Sequence, residues 1–161
     1  MNPVFDLSLL ERRFTVRLSK LHAEALSDPS RLDRYCTVAI SQLYNFLRAY
    51  FLSLRKGAVN SSGIRPSLGK TFLSDTELLT EMKQLGAPRH HLALHNPSVF
   101  LKVAQGLGCS NIGAIQAAMI DSWKVDVLRD VRNYFSHRCI TTEQKAIQSV
   151  KKHYSVNQRA A

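Results

Sequence analysis

The sequence lacks the features that mark several common classes of protein. No stretch approaches the ~20 consecutive apolar residues that a membrane-spanning helix needs. The N-terminus, MNPVFDLSLLERR, has charged residues where a signal peptide has a continuous apolar run. The three cysteines, Cys36, Cys109 and Cys139, are widely spaced and form no C-x-x-C pair, which favours small buried residues over a disulfide framework or a zinc ribbon. We therefore expect a soluble, cytoplasmic protein without a membrane partner.

Acidic residues are also scarce. The chain has 12 Asp and Glu against 22 Lys and Arg, a net charge of +10, so polyanions are attracted to it at neutral pH. No acidic residue occurs between Asp33 and Asp75 or between Met82 and Ile120. The basic residues in these two gaps include Arg34, Arg48, Arg55, Lys56, Arg65, Lys70, Lys83, Arg89 and Lys102. Such stretches either follow the phosphates of a nucleic acid or form ordinary solvated faces, and charge alone does not decide between them.

The alternation of a β-strand is missing beyond a few residues, whereas apolar residues recur every three or four positions along most of the chain. This pattern predicts an all-α bundle of four to five main helices with short additional helices and a basic loop. The 161 residues suffice for one core, so we expect a single domain. Its predicted parts are an N-terminal helix within 1–27 (residues 4–26), a bundle core over 28–156, and a flexible tail over 157–161.

Capping residues, glycines and prolines predict where the other helices begin and end. Helices are expected to start near Pro29, Ser74, Asn96, Ser110-Asn111 and Thr141. The first three should end near Gly57, Gly86 and either Gly106 or Gly108, and the fourth should run unbroken from Ile112 to Arg132. Residues 57–70 are rich in Gly, Ser and Pro and are predicted to form a loop.

The segment Gly63–Thr71, GIRPSLGKT, is similar to the end of a P-loop. Five residues separate Gly63 from Gly69, however, where the motif has four, and a long helix precedes the segment in place of a strand. An ordinary surface loop explains this segment better than nucleotide binding.

Three histidines, His90, His91 and His95, lie close together and could form a metal site. His91 and His95 would share one face of a helix, but Pro88 and Pro97 disfavour a helix there. No acidic residue lies nearby on the C-terminal side to complete the ligands. We therefore predict neither a metal nor another cofactor, and a loop that contacts phosphate when its histidines are protonated.

The segment Leu128–Arg138, LRDVRNYFSHR, gathers polar side chains at the end of an apolar helix. Arginine can bind a phosphate through two parallel hydrogen bonds, Asn133 can orient a side chain or a water, and a histidine can transfer protons near neutral pH. Arg132 and His137 are about 140° apart on a continuous helix, so they converge only if the helix ends or distorts near Ser136. The alternative is that Arg132 caps helix carbonyls and His137 is an ordinary surface residue.

This Arg-Asn-x3-His pattern at the end of a late helix resembles the R-x4-6-H signature of HEPN domains, and LRDVRNYFSHR is similar to the form found in prokaryotic HEPN ribonucleases. The long second helix, whose Asn45, Arg48 and Tyr50 are expected to face away from its leucines, is also similar to that family. The resemblance covers residues 28–156 at the level of the fold and 128–139 at the level of the motif.

The resemblance implies a metal-independent endoribonuclease that acts as a two-fold homodimer, with one motif from each chain facing a shared cleft. In that scheme the RNA 2'-hydroxyl attacks the adjacent phosphate, His137 transfers protons, Arg132 stabilises the phosphorane and Asn133 positions both. Ser136 and Tyr134 would support the site. The products would carry 2',3'-cyclic phosphate and 5'-hydroxyl ends. The residues expected to bind RNA are Arg48, Arg55, Lys56, Arg65, Lys70 and Arg138.

The resemblance also implies a role in prokaryotic defence or in a toxin–antitoxin pair, with an antitoxin or another regulatory protein as partner. One toxin branch of the family has a tyrosine two positions after the histidine that a partner nucleotidyltransferase modifies. Cys139 occupies that position here, so this form of control is not expected. The alternative function is a non-catalytic basic helical module that binds RNA or a protein partner.

Overall fold

The apolar stripe of the second helix organises the fold. The computed structural model describes residues 6–86 and 92–154, and in it helix α2 spans Leu32–Arg55. The other α-helices are α1 (Leu7–Ser27), α3 (Asp75–Gly86), α4 (Pro97–Gly106), α5 (Ile112–Ala118), α6 (Trp123–His137) and α7 (Ile140–Tyr154), and a 3-10 turn (Pro29–Arg31) precedes α2. The described residues contain no β-strand beyond an isolated bridge, so the predicted all-α bundle is confirmed. None of these helices is both long enough and apolar enough to cross a membrane.

The helices form two groups that share α2. The longer helices α1, α6 and α7 pack together with α2, while α3, α4 and α5 pack on one another and on α2. The principal core is centred on the C-terminal half of α2, because apolar residues from the second group close around it. Its buried members include Leu47, Phe51, Leu54, Phe72, Leu78, Met82, Leu94, Phe100, Val103 and Leu107.

Several helix ends match the predicted capping residues. The side chain of Asn96 accepts the N–H of Ser98 at 3.1 Å, and the hydroxyl of Ser74 accepts the N–H of Glu77 at 3.1 Å. At the other helix ends the structure differs by a few residues. α1 begins at Leu7, three residues later than predicted, and α7 begins one residue before Thr141. The predicted tail at 157–161 lies outside the described residues.

The prediction of one helix from Ile112 to Arg132 is wrong. Residues 119–122 form a turn that separates α5 from α6. In this turn the N–H groups of Ser122 and Lys124 donate to carbonyls three residues earlier, at 3.0 and 3.1 Å. Met119 and Ser122 both keep right-handed backbone angles, so the chain bends without glycine or proline. The apolar period therefore continues across the break, and periodicity alone cannot detect it.

The loop between α2 and α3 is tied to the connection between α4 and α5. The N–H of Gly69 donates to the carbonyl of Leu107 at 2.8 Å, and the N–H of Ser67 donates to the hydroxyl of Ser110 at 2.9 Å. Gly69 and Gly108 meet backbone to backbone, which leaves no room for a side chain. This segment follows a helix and precedes α3 by several residues, so it has the structure of a surface loop and lacks the strand and helix that flank a P-loop.

A pair of glycine substitutions tests the packing of α3. A Cβ on Gly86 would lie 2.5 Å from Leu92 Cδ1 and 2.9 Å from Val103 Cγ2, and both of those side chains are buried. Gly86→Ala should therefore lower the free energy of unfolding by about 1–3 kcal/mol through overpacking. Gly113→Ala is the matched control in α5, because nothing lies within 4 Å of its added Cβ. It should leave stability unchanged or raise it, as measured by urea unfolding, and equal effects of the two changes would contradict this packing.

Candidate active site

Helix α6 ends at the predicted place. Arg138 adopts left-handed backbone angles, φ 42° and ψ 43°, and its N–H donates to the carbonyl of Tyr134 at 2.7 Å. It is the one non-glycine residue with positive φ in the described chain. Glycine is the usual residue at this position after a helix, because a Cβ is crowded there. α6 therefore ends one residue after Ser136, and His137 is its last residue.

Arg132 and Asn133 are held together in the last turns of α6. The Nη1 of Arg132 donates to the side-chain oxygen of Asn133 at 3.1 Å, and both residues are half-buried. The Nε of Arg132 is enclosed by protein and has no hydrogen-bond partner. A guanidinium has five N–H donors, so most of the donors of Arg132 are available to an acceptor that approaches the outer nitrogens.

His137 is separate from this pair. α6 stays helical through His137, so the angle of about 140° between Arg132 and His137 is retained and the two residues are about 7.5 Å apart along the helix axis. The imidazole of His137 is exposed and forms no hydrogen bond with Arg132 or Asn133. The structure thus brings Arg132 and Asn133 together but does not bring His137 to them within one chain. Ser136 is exposed, and Tyr134 is half-buried one turn before His137, about 60° from it around the helix.

The arginines of α6 differ in how their charge is compensated. Arg129 lies 2.9 Å from a carboxylate oxygen of Asp126 and 3.8 Å from one of Asp130. Arg132 has no acidic partner among the described residues and is held by a neutral amide. Its positive charge is therefore available to an anionic ligand, whereas the charge of Arg129 is taken up within the helix.

α7 folds back along α6 after a connection of two residues, Arg138 and Cys139. The hydroxyl of Ser149 donates to Asp130, and the rings of Trp123 and His153 stack with centroids 4.6 Å apart and an angle of 11°. These contacts join the middle and the far ends of the two helices. Sequence analysis did not identify them, because their partners are 19 and 30 residues apart and belong to different helices.

The residues predicted to bind RNA fall into two groups. Arg55 donates through Nε to Asp75 at 2.7 Å, Lys56 lies 3.6 Å from the same carboxylate, and Lys70 lies 2.7 Å from Glu81. The hydrogen bond and charge of Arg55 hold the pKa of Asp75 below its ordinary value. The other three predicted residues, Arg48, Arg65 and Arg138, are exposed and have no acidic partner in the described chain.

The outward face of α2 is only partly as predicted. Asn45 and Arg48 are exposed, but Tyr50 is half-buried and its hydroxyl is hydrogen-bonded to the side chain of Asn111, at 2.8 and 3.1 Å. Burial raises the pKa of Tyr50. The expectation that Tyr50 faces away from the core was therefore wrong. Asn111, which was predicted to cap α5, instead uses its side chain to join α5 to α2.

The site lies apart from a large apolar cavity of the described residues. A cavity of about 530 Å³ lies between α1, α2 and α6, and neither Arg132 nor His137 lines it. Its walls are mainly apolar and include Phe14, Leu18, Tyr35, Ala39, Val127 and Leu128. Within residues 6–86 and 92–154 no three metal-ligating side chains cluster. His90 and His91, two members of the histidine group, lie outside these residues.

The three cysteines have different environments. Cys36 and Cys109 are buried as predicted, and desolvation raises the pKa of each thiol to about 11. Cys139 is exposed, so the prediction of a buried residue was wrong there. It lies between α6 and α7, where its sulfur is 3.4 Å from the hydroxyl of Thr142. The hydrogen bond with Thr142 is the main reason that the pKa of Cys139 lies below its ordinary value.

No protein-family model, no curated protein and no solved structure matches this chain. The chemical groups of the site therefore indicate what it can do. They are an arginine with free donors, an amide that holds the arginine, and an exposed imidazole at a helix end. Together these groups can bind a phosphate and transfer protons at the oxygens around it.

Thiol labelling tests the three cysteine environments. At a pH of about 7.5, a disulfide reagent should modify one thiol rapidly in the folded protein, because the thiolate attacks the reagent and its reactivity follows exposure and thiolate fraction. Cys139→Ser should abolish this rapid phase, while Cys36 and Cys109 should react only after unfolding in denaturant. The absorbance of the released thiol gives the stoichiometry. Rapid modification of two or more thiols in folded Cys139→Ser would contradict the burial of Cys36 and Cys109.

Proposed function

We propose that the chain is a metal-independent endoribonuclease of the HEPN type that acts through Arg132, Asn133 and His137. The observation that carries this proposal is the end of α6. The left-handed backbone of Arg138 ends the helix immediately after an exposed histidine, within two turns of an arginine whose charge no acid among residues 6–86 and 92–154 compensates. A phosphate-binding group and a proton-transferring group thus share one helix end, and RNA supplies its own nucleophile in the 2'-hydroxyl.

The reaction follows from the chemistry of these groups. A base removes the proton of the 2'-hydroxyl, whose oxygen attacks the adjacent phosphorus, and the bond to the 5'-oxygen breaks as an acid protonates it. His137 provides the imidazole for proton transfer. The outer nitrogens of Arg132 donate to the phosphorane oxygens as negative charge develops on them. Asn133 positions the guanidinium through the hydrogen bond at 3.1 Å. The products carry 2',3'-cyclic phosphate and 5'-hydroxyl ends.

The need for both an acid and a base favours a site shared between two copies. Two of the other described histidines, His153 and His22, do not supply the second imidazole near His137. His153 stacks on Trp123 at the opposite end of α6, which is about 21 Å from His137 along that helix. His22 packs near Tyr35, at a ring distance of 6.1 Å, and electrostatic contact between Tyr35 and Tyr154 places it at that same far end. A two-fold homodimer would contribute a second His137 to one cleft.

The exposed arginines are the part of the basic surface that suits RNA. Arg48, Arg65 and Arg138 have no acidic partner in the described residues, and Arg138 directly follows the proposed catalytic histidine. Arg55, Lys56 and Lys70 would reach phosphate only by sharing or leaving the carboxylates of α3. We therefore expect the first group to contribute more to RNA affinity than the second.

The proposal extends to biological context through the resemblance of the motif. A ribonuclease of this kind would act in the cytoplasm in prokaryotic defence or as the toxin of a toxin–antitoxin pair. An antitoxin or other regulatory protein would restrain it. Cys139 stands where one toxin branch has its modified tyrosine, so restraint by binding fits this chain better than modification at that position.

Substitution of the site residues tests the enzyme. The purified protein should cleave RNA in EDTA, and His137→Ala or Arg132→Lys should lower the rate by about 100-fold or more, because each removes a group used in the transition state. Arg132→Lys keeps the charge but not the planar set of donors. Analysis of the cleaved ends should show 2',3'-cyclic phosphate. Arg12→Ala, which removes an exposed charge from α1, should retain the rate.

Two results would contradict this assignment. Equal cleavage by wild type and His137→Ala, with helix content unchanged by circular dichroism, would exclude the site. RNA that is bound but never cut, with an affinity that falls steeply as salt is raised, would make the chain a non-catalytic RNA-binding module.

Mixed dimers test the shared site. When wild type is refolded with an equal amount of His137→Ala, activity should fall to about a quarter of that of wild type alone if both copies must supply a histidine, and to about half if each copy acts by itself. A parallel mixture with Arg12→Ala should lose nothing. Light scattering should report a dimer at micromolar concentration. A strictly linear dependence on the wild-type fraction would show that one chain carries a complete site.

A further inference from the structure

The outer face of α7 carries a stripe of large apolar side chains. Ile140, Ile147 and Tyr154 are 74%, 45% and 55% exposed. They recur every seven residues, and seven residues fall only about 20° short of two helical turns, so all three project along one side. Ser149, which bonds to α6, lies about 200° around the helix from Ile147. Ile140 and Ile147 therefore face away from the bundle, whereas Tyr154 contacts Trp123 of α6 edge to face, with ring centroids 5.4 Å apart, and exposes only its outer part. Exposed apolar residues in a row mark an interaction surface.

Two opposite charges interrupt this stripe symmetrically. Glu143 lies four residues before Ile147 and Lys151 lies four residues after it. Both are exposed, and neither has an ion-pair partner in the described chain. Reversing the order of α7 about Ile147 exchanges Ile140 with Tyr154 and Glu143 with Lys151. The outer face is thus complementary to its own reverse in both apolarity and charge.

We infer that α7 binds a second copy of this chain through an antiparallel contact with the partner's α7. The two-fold axis passes beside Ile147, so that the two copies of this residue meet. Ile140 packs against the partner's Tyr154, and Glu143 faces the partner's Lys151. A parallel contact would instead place Glu143 against Glu143 and Lys151 against Lys151. The antiparallel order also opposes the two helix dipoles favourably.

This contact is independent of the proposed active site. His137 precedes α7, whose first residue, Ile140, lies about 10 Å from Ile147 along the helix, so the two copies of His137 are at least about 20 Å apart along the helix pair. The α7 contact therefore leaves the end of α6 free and is a second self-complementary surface. A chain that uses both surfaces forms assemblies larger than a dimer. A single helix pair buries less than the ~800 Å² per partner of a standard interface, so the contact should be weaker than micromolar, and the larger assemblies should form only above the concentration at which light scattering reports the dimer.

Charge reversal tests the inference. Glu143→Lys and Lys151→Glu should each weaken self-association about tenfold at low salt, measured by sedimentation equilibrium. The contact contains the pair of residues 143 and 151 twice, so each substitution places two pairs of like charges across the two-fold axis. The double variant should restore self-association. Lys152→Glu is the matched control, since it changes the charge of an exposed neighbour about 140° from Ile147 around the helix. Unchanged association in the single variants, or no recovery in the double variant, would overturn the contact.

Disulfide formation tests the direction of the helices. In a Cys139→Ser background, oxidised Ile147→Cys should form a covalent dimer with itself, because the two copies of this position meet at the axis. Ile140→Cys should not pair with itself but should pair with Tyr154→Cys in a mixture. Self-pairing of Ile140→Cys would overturn the antiparallel order. RNA cleavage by Glu143→Lys should equal that of wild type, so failure of this contact and failure of the proposed ribonuclease give different results.

Discussion

The left-handed backbone at Arg138 is the constraint on which the candidate site and the outer face of α7 both depend. A non-glycine residue in this conformation costs about 1–2 kcal/mol, so the surrounding structure must stabilise it. The antiparallel contacts between α6 and α7 do this, because Ser149 bonds Asp130 and His153 stacks on Trp123. The same turn makes His137 the last residue of α6 and sets which face of α7 is turned to solvent. One strained residue thus positions two surfaces.

Folding also redistributes the positive charge. The stretch from Asp33 to Asp75 contains no acidic residue between its ends, yet it is not free of acids in space. Asp75 binds Arg55 at the end of α2, and the acids of α3 are close enough for Glu81 to pair with Lys70. The net charge of the chain is unchanged, but the positive charge that has no acidic partner among the described residues is carried by exposed arginines outside these pairs. A linear count of charges therefore overstates the basic loop as a binding surface and understates the end of α6.

Most of the fold could be predicted because local interactions decide it. The period of α1 and α2 and the capping side chain of Asn96 act within a few residues, and these features appear in the structure. The errors arise where distant contacts compete with local ones. Asn111 bonds Tyr50 on another helix instead of capping its own, and the turn at 119–122 keeps right-handed angles that preserve the apolar period. The position of the helix end at His137 could be predicted, but the burial of Arg132 could not, because it depends on packing between helices.

The geometry of α6 constrains what the motif can do. Two side chains five positions apart on an unbroken helix point in directions about 140° apart. Because the helix extends to His137, its backbone angles are fixed and cannot bring the two directions closer. A ligand that contacts both must either wrap around the helix end or lie between two copies of it. Flexible RNA can do the former, and a two-fold axis at the end of α6 provides the latter. The α7 contact would not interfere with either, because its axis lies at least about 10 Å from His137 along the helix. If the proposed reaction uses one histidine as acid and another as base, only the second arrangement supplies both, and the number of chains at the site then determines whether it is complete.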